Sequence, residues 1–174
     1  DIEGEALTPQ RLVALAREGD CRSISYTYTE PTVFFELVLE TAQRARAAGL
    51  RNVLVSNGYL GPEALALLAP FLDGANIDLK AFRDEFYQRY CSARLGPVLE
   101  TIAAMKAAGI WIEVTTLLIP GLNDDPAEIE DLIGFLLGLG GDVPWHVSRF
   151  FPCHLMAGLP PTEPAAIRRC LERA

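Results

Sequence analysis

Arg44-Ala-Arg-Ala-Ala-Gly-Leu-Arg-Asn-Val-Leu-Val55 and Met105-Lys-Ala-Ala-Gly-Ile-Trp-Ile-Glu-Val114 repeat one pattern: the end of a helix, Ala-Ala-Gly, then a strand. Gly49 and Gly109 stand where a helix closes on a residue without a Cβ. The apolar run behind each changes the hydrophobic period from helical to extended. The same alternation extends outward from these two units. Thr8-Pro9 joins an N-cap to a proline at the first helical position, and its helix reaches about Glu18 before Gly19. Ser23 to Tyr28 reads as a strand. Thr32 to Ala48 reads as a helix with Val33, Phe34, Leu37, Val38, Thr41 and Ala45 on one face. Asn52 to Ser56 is a strand, and a helix reaching about Leu72 follows the Asn57-Gly58 and Gly61-Pro62 turns. Ala75 to Leu79 is the next strand, with a short helix near Asp84 to Tyr90. Leu95 to Ala108 is helical, and Ile110 to Ile119 is the longest strand, broken by Pro120-Gly121. Asp125-Pro126-Ala127-Glu128 is a capping-box pattern whose helix runs to about Leu139. Pro144 to Phe150 is the final strand, and the Pro160-Pro161 loop leads to a last helix.

Strands alternating with helices predict βαβ units, a parallel sheet and right-handed crossovers. Strands of such sheets are expected to be buried on both faces, as the near-continuous runs Val53-Leu54-Val55 and Val114 to Ile119 suggest. Periodicity leaves two architectures open: five strands of a barrel, or an open doubly wound sheet.

With 174 residues, half of them hydrophobic, the chain is expected to form one domain over residues 1–174. The net charge of −8, with basic residues scattered, argues against nucleic acid as a partner. No apolar run approaches the roughly 18 residues of a membrane span, so no membrane partner is expected. Cys21, Cys91, Cys153 and Cys170 form no CxxC or metal-ligand spacing. They read as buried or half-buried thiols of a protein in the reducing cytoplasm. His146 and His154 are eight positions apart, which is not a common metal-ligand spacing. The chain opens at Asp1 without Met and stops at Ala174 inside a helical pattern, so a segment of a longer protein is expected.

In parallel α/β folds ligands bind at the C-terminal ends of strands. Those ends carry Tyr26-Thr27-Tyr28-Thr29-Glu30-Pro31-Thr32, Ser56-Asn57-Gly58-Tyr59 and Asp78-Leu79-Lys80. The fourth strand carries Glu113, Thr115 and Thr116, and the fifth His146, Ser148 and Arg149. Each also has a simpler reading. Glu30 could cap a helix N-terminus. Asp78 and Lys80, two apart on a strand, face the same way and could be only a salt bridge. His146 could be a satisfied core group. Asn123-Asp124 reads as a loop into the Asp125 cap, Arg149 as a partner of a barrel carboxylate, and Phe150-Phe151 as core. No dinucleotide, P-loop or nucleophile-elbow motif is present.

Five segments in order resemble radical S-adenosylmethionine enzymes. They are Ile24 to Thr32, Val55-Ser-Asn-Gly-Tyr59, Asn76-Ile-Asp-Leu-Lys-Ala-Phe82, Glu113 to Asp124 and Pro144 to Pro152. The closest group is the pyruvate formate-lyase-activating-enzyme-like proteins, in particular the AmmeMemoRadiSam-system branch. The resemblance implies an α/β fold, a partial (β/α)6 TIM-like barrel. It implies that Tyr28, Thr29 and Glu30 match a Gly-Gly-Glu motif at the methionine amino group of S-adenosylmethionine, with Tyr and Thr in place of the glycines. By the same resemblance Asp78 and Lys80 contact the methionine and ribose parts, and His146 lies near ribose and adenine. The resemblance also implies that Asn57 lines the same cavity and that Glu113 and Thr115, facing the barrel interior, touch the cosubstrate or the substrate. Family members hold a [4Fe–4S] cluster on Cys-x3-Cys-x2-Cys after the first strand. Its reduction cleaves S-adenosylmethionine to a 5′-deoxyadenosyl radical that abstracts hydrogen, in activating enzymes from a glycine of a partner protein. That motif is absent here. The expectation is a barrel truncated at its N-terminus, lacking the first strand and the cluster loop, whose parent is a radical enzyme and which is inert alone. Two other readings stay open: a lyase or aldolase with Lys80 as Schiff-base nucleophile, and a non-catalytic barrel fragment that binds a partner.

Overall fold

The computed structural model describes residues 7–174; the first six residues, part of the single domain expected over 1–174, lie outside that range. The order is α1 (Pro9–Glu18), β1 (Ser23–Tyr26), α2 (Phe35–Ala47), β2 (Arg51–Ser56), α3 (Pro62–Leu68), β3 (Gly74–Asp78), α4 (Asp84–Phe86), α5 (Leu95–Ala107), β4 (Trp111–Leu118), α6 (Pro126–Leu139), β5 (Trp145–Arg149) and α7 (Pro164–Leu171). Short 3-10 turns cover Pro31–Phe34, Ala69–Phe71 and His154–Met156, and Tyr87–Cys91 forms a π-turn.

The two Ala-Ala-Gly units fold alike. Gly49 and Gly109 have φ of 79° and 77°. Behind them Leu50 N–H donates to Ala45 C=O at 2.9 Å and Ile110 N–H to Met105 C=O at 3.1 Å, closing both helices in the same way. Leu50 and Ile110 are buried, so each turn delivers its strand straight into the core.

Among the described residues the sheet has five strands in the order β1-β2-β3-β4-β5, every neighbouring pair parallel. A doubly wound sheet reverses its strand order at a switch point. This order never reverses, which decides for a partial barrel.

Burial on both strand faces does not hold. On β2 Asn52, Leu54 and Ser56 are buried while Val53 and Val55 are half-exposed, and β4 alternates in the same way. One face lies under the helices, where Val38, Leu54, Leu68, Ile77, Ile102, Met105 and Val114 make the core. The other face presents Asn76, Asp78, Glu113, Thr115, His146 and Ser148 to an open hollow. Two boundaries also move. β1 ends at Tyr26, not Tyr28. Pro31 starts a 3-10 turn, so α2 begins only at Phe35 and Val33 is left 82% exposed instead of on the core face.

Asn52, fully buried, ties three elements together on the helix-covered side. Its Oδ1 accepts from the Tyr26 hydroxyl at 2.9 Å, and its Nδ2 donates to the Ala42 and Phe71 carbonyls at 3.0 Å each. Burial pushes the Tyr26 phenol above its ordinary range. Asn52→Leu takes the side-chain partner from the Tyr26 hydroxyl and the Phe71 carbonyl and a second bond from the Ala42 carbonyl, and is expected to cost roughly 3 kcal/mol in urea unfolding. Tyr26→Phe, which removes one bond and leaves no buried donor, should cost about 1 kcal/mol. Equal, small losses in both would show that the network is dispensable.

Candidate functional site

At the end of β3 the Lys80 Nζ meets Asp78 Oδ2 at 3.0 Å. Both side chains are about two-fifths exposed, 39% and 42%. An ion pair this open contributes at most about 1 kcal/mol, so it does not fix the segment. The backbone is fixed instead. Lys80 N–H donates to the Tyr87 hydroxyl at 3.0 Å, and Lys80 C=O accepts from Asn123 Nδ2 at 2.6 Å. Leu79 C=O accepts from Thr116 Oγ1 at 2.8 Å, and Phe82 N–H donates to Glu128 Oε1 at 2.6 Å. Tyr87, Thr116, Asn123 and Glu128 are all buried. Asn123 also accepts from Ile119 N–H at 2.6 Å and donates to Leu117 C=O at 2.9 Å, so it joins the ends of β3 and β4.

Two of these four were read differently from sequence. Asn123 is a buried tie, not only loop. Asp125 caps α6 as predicted, accepting from Ala127 and Glu128 N–H at 3.0 and 3.1 Å. Glu128, however, reaches across to Phe82. Burial raises its carboxyl above the ordinary value, and the Phe82 N–H pulls it part of the way back.

Glu30 is gathered in from β1. Its Oε1 accepts from Ser56 Oγ at 2.8 Å and from Thr32 N–H and Oγ1 at 3.3 and 3.2 Å, and its Oε2 accepts from Asn57 N–H at 2.8 Å. It therefore does cap the 3-10 turn, and it also locks the β2 end. Tyr28 takes φ 73°, a left-handed conformation natural for the glycine that the resemblance expects there, and its ring stands in solvent.

Tyr28, Thr29, Glu30, Asn57, Asp78 and Lys80 line one cavity of about 370 Å³. Glu113, Thr115 and His146 do not line it. They lie further across the hollow, in the register Asp78↔Thr115↔His146, which places His146 about 10 Å from Asp78. There His146 Nε2 lies 2.8 Å from Glu113 Oε2, Trp111 Nε1 donates to Glu113 Oε1 at 3.1 Å, and Thr115 Oγ1 donates to Asn76 Oδ1 at 2.9 Å. The indole N–H first, and the imidazole second, hold Glu113 below the usual carboxylate value.

Four side chains depart from expectation: Arg149, Phe151, Cys21 and Cys153. Arg149 donates to Thr162 C=O at 2.9 Å and stacks over Phe151 at 5.0 Å, without a carboxylate. Phe150 is core, but Phe151 is exposed. Cys170 is buried and Cys91 half-buried, while Cys21 and Cys153 are exposed. Among the described residues no group of three His, Cys, Asp or Glu side chains could hold a metal ion, and no helix is long and apolar enough to cross a membrane.

Residues 2–136 match the Radical SAM superfamily. The chain belongs to this superfamily. Radical SAM proteins use S-adenosylmethionine and a [4Fe–4S] cluster. The chain is 42% identical over 163 residues to an uncharacterized protein of Methanocaldococcus jannaschii, covering 93% of this chain and 48% of that one. It is 27% identical over 115 residues to the (2S)-3-sulfopropanediol dehydratase activating enzyme of Klebsiella oxytoca, covering 66% and 36%. It thus spans about half of the first relative and about a third of the second. In fold it is similar to a domain of a pyruvate-formate lyase-activating enzyme from Bacteroides vulgatus, with TM-score 0.69, 19% identity and coverage of 87% and 91%. It is also similar to Streptococcus suis SuiB bound to S-adenosylmethionine, with TM-score 0.75, 13% identity and coverage of 99% and 41%.

Two outcomes follow for stability. Glu128→Gln keeps the acceptor for Phe82 and removes a buried charge. Burial raises its carboxyl, so its contribution is full below the ordinary value of 4.5 and is lost as pH rises through the higher folded value; at pH 7 the amide should be at least as stable as wild type. Glu128→Ala should lose roughly 2 kcal/mol in the same denaturant titration. Glu113 has the opposite sign. Its depressed carboxyl contributes stability above the ordinary value of 4.5 that is lost as pH falls through the lower folded value. Glu113→Gln should therefore flatten the acid limb of stability against pH, by less than about 1 kcal/mol at this exposure.

Proposed function

We propose that the cavity between Glu30 and the Asp78–Lys80 pair is the S-adenosylmethionine site of this radical SAM chain. The observation that carries the reading is that these side chains, far apart in sequence, line one cavity at the C-terminal strand ends. The residues suit the ligand. Glu30 Oε2 has one partner and keeps a lone pair for an ammonium group. Lys80 offers a donor to the carboxylate, and Asp78 accepts from ribose hydroxyls. Thr29 and Asn57 add neutral hydrogen-bonding groups, while Glu113, Thr115 and His146 lie outside the cavity, further across the hollow. Tyr28 gives only its backbone, since its ring is outside. When bound with a reduced cluster, S-adenosylmethionine supplies radical hydrogen abstraction. The described residues do not fit the cluster itself, so its thiolates are assigned elsewhere in the protein and the 174 residues alone are read as inert.

Within the superfamily we place the chain with the pyruvate formate-lyase-activating-like proteins, in the AmmeMemoRadiSam-system branch. The five motifs in order and an activating enzyme among the relatives support this. That relative also favours glycyl-radical activation of a partner protein as a second reading of the substrate. Two exposed free thiols, Cys21 and Cys153, support a reducing cytoplasmic setting. The ion pairing of Lys80 with Asp78 disfavours the aldolase reading.

Calorimetric titration with S-adenosylmethionine tests the site. The chain should bind, and Glu30→Ala and Asp78→Asn should each weaken binding about tenfold or more, the loss of one charge-assisted hydrogen bond. Unchanged affinity in both variants would falsify the assignment. Reconstitution with iron and sulfide should leave the chain without cluster absorbance at about 400 nm.

A further inference from the structure

A second cavity, of about 390 Å³, shares the Asn57 and Lys80 walls of the first. Its other side is made by Tyr59 and by Tyr87, Tyr90, Cys91 and Ser92 of the π-turn and its exit. Single π-turns concentrate at functional sites. Here the turn sets two phenol rings and a thiol along one side. Tyr90 is braced by Phe86, with ring centroids 5.0 Å apart, and by the Arg89 guanidinium at 5.2 Å. Burial pushes the Cys91 thiol up, so it acts as a soft, neutral wall. Lys80 is the charged side chain of the lining, and it is already paired with Asp78. The hydroxyl of Tyr87 is bonded to Lys80 N–H. Among the described residues those of Tyr59 and Tyr90 have no protein partner and remain for a ligand or water.

The geometry points to this cavity as the subsite for an uncharged aromatic or heteroaromatic ring on the substrate. The inference rests on the S-adenosylmethionine reading of the first cavity, because a group to be attacked must sit within contact distance of the attacking one, and the two cavities share walls. The volume lies in the range of small-molecule sites. Aromatic walls favour a planar body by stacking, and free hydroxyls at their edge favour a ring with polar substituents. A lone glycine loop would leave these walls unused. The ring is either free or carried on a polypeptide as an aromatic side chain.

The test is an amide-resolved NMR titration of the chain with indole, cyclohexanol and acetyl-Gly-Trp-Gly-amide. A ring of about nine heavy atoms is expected to bind at roughly millimolar affinity. Indole should saturably shift the amides of Tyr59 and Ser92 and of Ala93 and Val98, which also line this cavity; cyclohexanol should act about fivefold more weakly, and Tyr59→Ala or Tyr90→Ala should weaken indole about fivefold. Tyr59 is 46% exposed, so its variant keeps the fold. No saturable shift below about 10 mM, equal binding of cyclohexanol, or no loss in either variant overturns the subsite. Tighter binding of the peptide than of indole assigns the ring to a polypeptide; weaker binding assigns it to a free small molecule; both support the subsite. S-adenosylmethionine added to the same sample should shift the Glu30 and Asp78 amides. If indole binds and S-adenosylmethionine does not, the first cavity's assignment fails, and the substrate role of the second falls while its ring binding stands.

Discussion

A parallel strand runs out of backbone partners at its C-terminal end, and Leu79 to Phe82 lie at that point. Buried amides and carbonyls must be paired, yet a wall of neighbouring backbone there would close the hollow where ligands bind. The chain satisfies both demands with side chains. Tyr87, Thr116, Asn123 and Glu128 reach in from four separate segments and take up the Leu79 carbonyl, the Lys80 amide and carbonyl, and the Phe82 amide. The Asp78 and Lys80 side chains then project from a rigid peptide, although their mutual attraction is weak.

The same division of labour runs through the sheet. The helix-covered face is mostly apolar, and the Asn52 side chain buried on it has partners at both its oxygen and its nitrogen. The hollow-facing side carries polar residues in register from strand to strand. Period-two alternation thus separates what stabilises the fold from what is available for chemistry.

Local signals were legible in the sequence. The Ala-Ala-Gly closures, the Thr8 and Asp125 caps and the shared facing of Asp78 and Lys80 depend on a few neighbouring residues, and the structure has them where expected. The choice between barrel and open sheet was not legible, because strand order is a property of the whole chain. Glu128 shows the limit most clearly. A carboxylate three residues after an Asp cap has a local use, and Phe82 N–H, 46 positions away, outcompetes it. Val33 lies off the core face because Pro31 opens a tighter turn and moves the helix start from Thr32 to Phe35. Apolar runs in β2 and β4 suggested burial on both sides, whereas half of those residues border the hollow.

The hold on the Lys80 peptide has a thermodynamic corollary. A ligand that contacts Lys80 favours chains in which α6 and the Asn123 loop are docked, because Asn123 holds the Lys80 carbonyl and Glu128 the Phe82 amide. Ligand at about a hundred times its dissociation constant adds about 2.7 kcal/mol to the state it selects. That free energy is shared by a helix the ligand never touches, so local opening of α6 and occupancy of the strand ends are two readings of one equilibrium.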